Sequence, residues 1–164
     1  MNESQCIAEI AAIKRTFSFA FEHGLTLARA ASSEGGEHCM VCLKSPTLSL
    51  KFEIDFGIVT VSFGDGLARC DWDSYGKDEA GWVSAHMLLK YLERGSPNDS
   101  REAQPRPIES LETQLSLQSA RIRSHFDEVA AAFSKGRSEQ WWQDFKRFET
   151  RELAERRAQL LSRH

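Results

Sequence analysis

Long apolar runs are missing from this chain. No stretch approaches the roughly 18 consecutive apolar residues that a spanning helix requires, and Glu9 interrupts the first apolar segment. The opening residues, Met1-Asn2-Glu3-Ser4-Gln5, lack the basic stretch that begins an export signal. A surplus of positive charge is missing too. The chain carries 21 basic and 24 acidic side chains, net −3, which argues against a general nucleic-acid binder. There is no HxH or HExxH pair, no GxSxG, no phosphate-cradling glycine loop and no dinucleotide fingerprint. The expectation is a protein with no catalytic residues, no metal and no cofactor, and with neither nucleic acid nor membrane as its partner.

What is present describes an ordinary globule. Of 164 residues, 41% are hydrophobic and 27% charged, which excludes a wholly disordered chain. A chain this long can bury about 70% of its unfolded surface. Cys6, Cys39, Cys42 and Cys70 are therefore not needed as staples, and reduced thiols in a cytoplasm are expected. Cys39-Met40-Val41-Cys42 is a CxxC, but zinc needs about four converging ligands. If residues 39–43 form a strand, the two thiols point to opposite faces. A redox pair would open a helix, and nothing after Cys42 reads as one. His86 and His125 lie beside helical stripes and read as packing or surface residues.

The first periodic segment spans about residues 4–21, with Ile7, Ile10, Ala11, Phe17 and Phe21 at helical spacings. Ser4 would cap it and Gly24 would stop it. Ile13 and Phe19 fall off the stripe, so cover on two sides is expected. Leu25, Leu27 and Arg29 share one parity and alternate poorly. Leu48, Leu50, Phe52, Ile54 and Phe56 alternate with Ser49, Lys51, Glu53 and Asp55, the pattern of a half-buried strand. Gly57 turns it into an antiparallel partner carrying Ile58, Val59, Val61 and Phe63. Leu67–Trp72 reads as a further strand, and Asp73–Gly81 as a loop. Ser84 caps a helix over 84–94, closed by Gly95 and Pro97.

Residues 95–107 hold three of the four prolines and read as a linker or surface loop. Beyond them Ile108, Leu111, Leu115, Ile122, Phe126, Val129 and Phe133 predict one helix. Gly136 and Ser138 separate it from a last helix bearing Trp141, Trp142, Phe145 and Phe148. The fold class is thus α+β: an antiparallel sheet of four or five strands packed against helices, with a C-terminal α-helical hairpin. The organisation is an α+β sheet domain at 1–95, a linker at 96–107 and a helical hairpin at 108–164 packed on the same domain. Charge divides similarly, with 9 basic and 13 acidic side chains up to residue 96, and 12 and 11 after it.

Two segments stand out as contact surfaces. Asp71, Trp72, Asp73, Tyr75, Asp78 and Glu79 lie within nine residues, with Trp82 just beyond. Carboxylates steer a basic partner, and Trp and Tyr give large desolvated contacts. The ordinary alternative is that Trp72 and Trp82 cap the core while the acids face water. Trp141 and Trp142 point about 100° apart on a helix. Both are buried only if that helix is covered on two sides; otherwise one marks a partner surface.

The order of these features is a helix, then Lys44-Ser45-Pro46-Thr47-Leu48-Ser49-Leu50-Lys51-Phe52-Glu53-Ile54-Asp55-Phe56-Gly57-Ile58-Val59-Thr60-Val61. An acidic tryptophan-bearing loop follows, then Trp82 leading into Met87-Leu88-Leu89-Lys90-Tyr91-Leu92. Over about residues 4–95 this resembles the small cytoplasmic immunity proteins of bacterial contact-dependent inhibition and related polymorphic toxin systems. The resemblance implies a non-enzymatic protein that occludes a cognate toxin domain, often a nuclease with a basic cleft, without a cofactor. It transfers no functional residue. Two other readings stay open: a small cytoplasmic enzyme or ligand-binding domain with a cleft between sheet and helices, and a helical-hairpin adaptor or oligomerisation module.

Overall fold

The computed structural model describes residues 6–33, 35–71, 81–94, 109–136 and 138–162. Five strands form one antiparallel meander in chain order: β1 (Thr26–Ser32), β2 (His38–Lys44), β3 (Leu48–Asp55), β4 (Ile58–Asp65) and β5 (Trp82–Ser84). The helices are α1 (Ile7–Thr16), α2 (Ser18–Glu22), α3 (Ala85–Leu92), α4 (Leu111–Ser124), α5 (Phe126–Ala131) and α6 (Glu139–Leu161), with a π-helical turn at Ala132–Gly136. The α+β class expected from the alternation is what the chain adopts. None of the described helices is long and apolar enough to cross a membrane.

The alternation in β3 sets the layers. Leu50 pairs with Leu43 and Phe63, and Phe52 with Val41 and Val61, so rows of apolar side chains run across the sheet. These rows join Phe17, Leu88, Leu115, Ile122, Phe126, Phe145 and Phe148 in one core. Phe17 sits edge-on to Phe52 with ring centroids 4.8 Å apart. It also separates α1 from α2, where the sequence predicts a continuous helix. Poor alternation in the first strand has a local cause. The register shifts between Leu27 and Arg29, so Ala28 is an extra residue that reverses the parity. The β3–β4 hairpin turns through Phe56 and Gly57, both at positive φ, the two-residue turn whose twist matches the flanking strands.

Ser84 accepts from the Met87 N–H and caps α3 as expected. Beyond β5's three residues, α4 supplies a substitute for strand pairing along β4. Gln114 Oε1 accepts from Val59 N at 3.0 Å, its Nε2 donates to Gly57 O at 2.7 Å, and Gln118 Nε2 donates to Val59 O at 2.9 Å. Two side-chain amides thus satisfy an edge that would otherwise stay open. The predicted C-terminal helix pair is realised differently. The first helix breaks at His125 into α4 and α5, α4 packs on α1 and β4, and α6 packs on α3. The linker predicted at 96–107 lies outside the described residues.

Two expectations need correction. The strand expected at Leu67–Trp72 is absent over its described residues: 66–71 form a turn and irregular chain, Trp72 lies outside the described residues, and the fifth strand is Trp82–Ser84. The four cysteines are not reduced thiols. Cys6 is joined to Cys39 and Cys42 to Cys70, with Cα atoms 6.2 Å apart in each pair, well inside the range a disulfide spans. Strand parity is the reason. Cys39 faces the helices, where α1 begins, and Cys42 faces the other side, where the chain after β4 returns.

Candidate partner-binding site

The face of the sheet away from the helices carries Met40, Cys42, Ser49, Lys51, Ser62 and Gly64. The sequence predicts that the polar side chains of β3 meet water. Instead Ser49 and Lys51 are 0% and 1% exposed. Lys51 Nζ pairs with Glu53 Oε1 at 3.0 Å and stands 5.0 Å from the centre of the Trp82 ring. The segment that follows β4 crosses this face. Asp65 Oδ1 accepts from Leu67 N at 2.8 Å, Lys44 Nζ donates to Ala68 O at 2.5 Å, and the Cys42–Cys70 disulfide fastens the far end.

Two glycines allow that crossing. A Cβ on Gly64 would stand 2.6 Å from Ala68 Cβ and 2.9 Å from Gly81 O, and one on Gly66 would collide with the Pro46 carbonyl. Gly66→Ala meets backbone rather than a movable side chain. It should cost about 2–3 kcal/mol, the usual range for overpacking, read as a lowered thermal midpoint. A midpoint equal to wild type would show that the turn can open without loss.

The predicted contact residues divide. Asp71 is the first of them and the one that lies among the described residues. Its side chain is 23% exposed and ion-paired with Arg69, so it is not the freely solvated carboxylate expected. Trp72, Asp73, Tyr75, Asp78 and Glu79 lie outside the described residues. Trp82 is buried, and its indole N–H donates to Arg69 O at 3.0 Å. It caps the second face of the sheet.

Trp141 and Trp142 are both half-buried. Trp141 packs edge-on to Tyr91 of α3 at 5.3 Å, and Trp142 edge-on to Phe133 of the π-helical turn at 5.3 Å. The helix is covered on two sides, which is how adjacent indoles can both pack. Trp142 and Phe133 also form the wall of a cleft of about 460 Å³ between β5 and α6, with Trp82, Val83 and Leu153 completing its apolar surface. Asp65, Lys146 and Glu149 add charged groups to its lining, and Lys146 Nζ pairs with Glu149 at 2.9 Å. Gly81, where the described chain resumes, lines the same cleft. Trp142 of the second segment and Trp82, just beyond the first, therefore line one cleft. Sequence reasoning missed Leu153 and Phe133 as members. Their spacing from Trp142 was visible, but which helix faces would stay uncovered was not.

Three of the described histidines are engaged in side-chain pairings. His38 pairs with Asp55 and sits edge-on to Phe56, and His125 lies between Glu93 and Glu128. His86 sits between the guanidinium groups of Arg121 and Arg156, at 3.3 and 3.1 Å. Cys39 and Cys42 do face opposite sides of β2, as the parity argument required. No protein-family model, curated protein or solved structure matches this chain, so the functional reading rests on the site itself.

Proposed function

We propose that this chain is an immunity-type inhibitor, a non-enzymatic protein that binds a cognate toxin domain and occludes its active site. The observation that carries the reading is an apolar cleft lined by Trp142 and by Gly81 and Trp82, the residues that follow the acidic stretch in sequence. Trp142, Phe133 and Leu153 provide an anchor site of the kind that dominates protein interfaces. Asp65 and Glu149 in the cleft lining, with Asp73, Asp78 and Glu79 of the acidic sequence segment, would steer a basic surface of the toxin. Lys146 and Glu149 of the lining pair with each other. That supports a protein partner over the small ligand of the alternative reading, whose site needs convergent polar groups. The cytoplasmic address expected from reduced thiols is not supported by the paired sulfurs.

The test is co-expression with the toxin domain encoded beside this chain in its genome. Wild type should restore growth and form a stable complex. Leu153 is 52% exposed, so Leu153→Asp should leave stability within about 0.5 kcal/mol. It should weaken the complex about 30-fold, the scale of one anchor residue. Asp73→Ala with Asp78→Ala should slow association, with the loss shrinking as salt rises. A neighbourhood with no secreted toxin, or Leu153→Asp binding as tightly as wild type, would sink this assignment.

A further inference from the structure

We propose that the Cys42–Cys70 bond is a site of thiol–disulfide exchange, formed and reopened by a dithiol–disulfide exchange protein of an oxidising compartment, while Cys6–Cys39 remains a closed structural bond. The two bonds hang from the same strand but meet different surroundings. Cys6 and Cys39 are 0% and 3% exposed and belong to the core between sheet and helices. Cys42 is equally buried, but Cys70 is partly exposed and lies in chain with no helix or strand. Exchange begins with a thiolate reaching a sulfur, so access ranks the two bonds before any other factor does.

Local charge at the first bond does not set the order, because two effects there oppose each other. Cys6 heads α1, where the helix dipole favours a thiolate. A carboxylate oxygen of Glu9 lies within 4.8 Å of both sulfurs of that pair, and its negative charge opposes the thiolate that must leave. At the second bond, the attacking thiolate would take Cys70, the sulfur within reach, into a mixed disulfide. Cys42 leaves as a thiolate and takes up a proton. The exchange protein's second thiol then displaces Cys70, closing its own disulfide. Two electrons and two protons pass from that dithiol to Cys42 and Cys70. The reverse sequence forms the bond, with the oxidised exchange protein as electron acceptor. Bonds that persist in this way belong to compartments outside the reducing cytoplasm. The bond ties residue 70 to the sheet two positions before Trp72, so its state bears on the segment assigned above to the partner.

The test uses the full chain and does not need the toxin. Produced under oxidising conditions and digested without reductant, it should yield Cys6–Cys39 and Cys42–Cys70 linked peptides. Exposed to graded dithiothreitol with timed alkylation, Cys42 and Cys70 should label at least about tenfold faster than Cys6 and Cys39. A thioredoxin variant lacking its resolving cysteine should be trapped on Cys70. Free thiols in the oxidised preparation, one zinc held per chain, other pairings, equal labelling rates, or trapping on Cys6 or Cys39 would each overturn the proposal. Failure of toxin binding would leave these readouts untouched, so the two ideas fall separately.

Discussion

Cys6→Ala with Cys39→Ala should cost about 3.5–4 kcal/mol of stability, and full reduction of both bonds about 7 kcal/mol. In the chain-entropy account a cross-link stabilises by restricting the unfolded chain, and the effect grows with the logarithm of the loop closed. The two bonds close loops of similar size, with sequence separations of 33 and 28. Those loops do not overlap, since the first ends at Cys39 and the second begins at Cys42, so their effects on the unfolded chain should add. Domains are typically stable by about 5–15 kcal/mol. The reduced chain would then sit near the edge of folding despite a core that keeps its apolar contacts. Urea unfolding with and without reductant measures the difference. Midpoints that coincide would mean that the cross-links contribute nothing and that the apolar core suffices, as the length argument held.

The comparison between what the sequence shows and what the chain does is clearest in β3. Leu48, Leu50, Phe52 and Ile54 announce a strand and its buried face, because a period of two leaves no other placement. The same pattern misleads about Ser49 and Lys51. Alternation identifies a second face, but not whether that face stays wet, and here the returning chain and Trp82 cover it. The strand expected at Leu67–Trp72 fails for a related reason. Short apolar runs do not distinguish a strand from chain packed across one, and Gly64 and Gly66 mark a close crossing rather than a simple turn. Cysteine pairing was hidden because it joins β2 to residues 33 and 28 positions away. The opposite facing of Cys39 and Cys42 was legible, and once the register is known it separates the two bonds. For the candidate site, the acidic segment and the Trp141–Trp142 pair were both visible. That Trp82 and Trp142 line one cleft with Phe133 depends on the π-helical turn, which leaves no periodic trace.

The tie between α4 and the sheet should prove nearly as costly to break as a disulfide. Gln114 is 0% exposed. Its amide accepts from Val59 N and donates to Gly57 O and, at 3.0 Å, to Glu109 O. Gln114→Leu keeps the volume but leaves the Val59 N–H buried without an acceptor. An orphaned buried donor costs about 1–3 kcal/mol, and the lost bonds about 1 kcal/mol more, so a loss of about 3 kcal/mol is expected. Val59 O would still be held by Gln118, so the damage should stay local to one amide, visible as faster hydrogen exchange at Val59. Gln114→Glu separates packing from hydrogen bonding. One carboxyl oxygen could still accept from Val59 N, but the other would face the Gly57 and Glu109 carbonyls and would need a proton to bond either. The folded state would therefore hold that proton more tightly than the unfolded chain, whose glutamate titrates near pH 4.3. Below that pH the variant should approach wild-type stability, and its deficit should grow as pH rises until the folded form also ionises. A deficit that is the same at pH 4 and pH 7 would mean that the amide's donors do not anchor the helix, and that α4 is held by Leu115 and Ile122 instead.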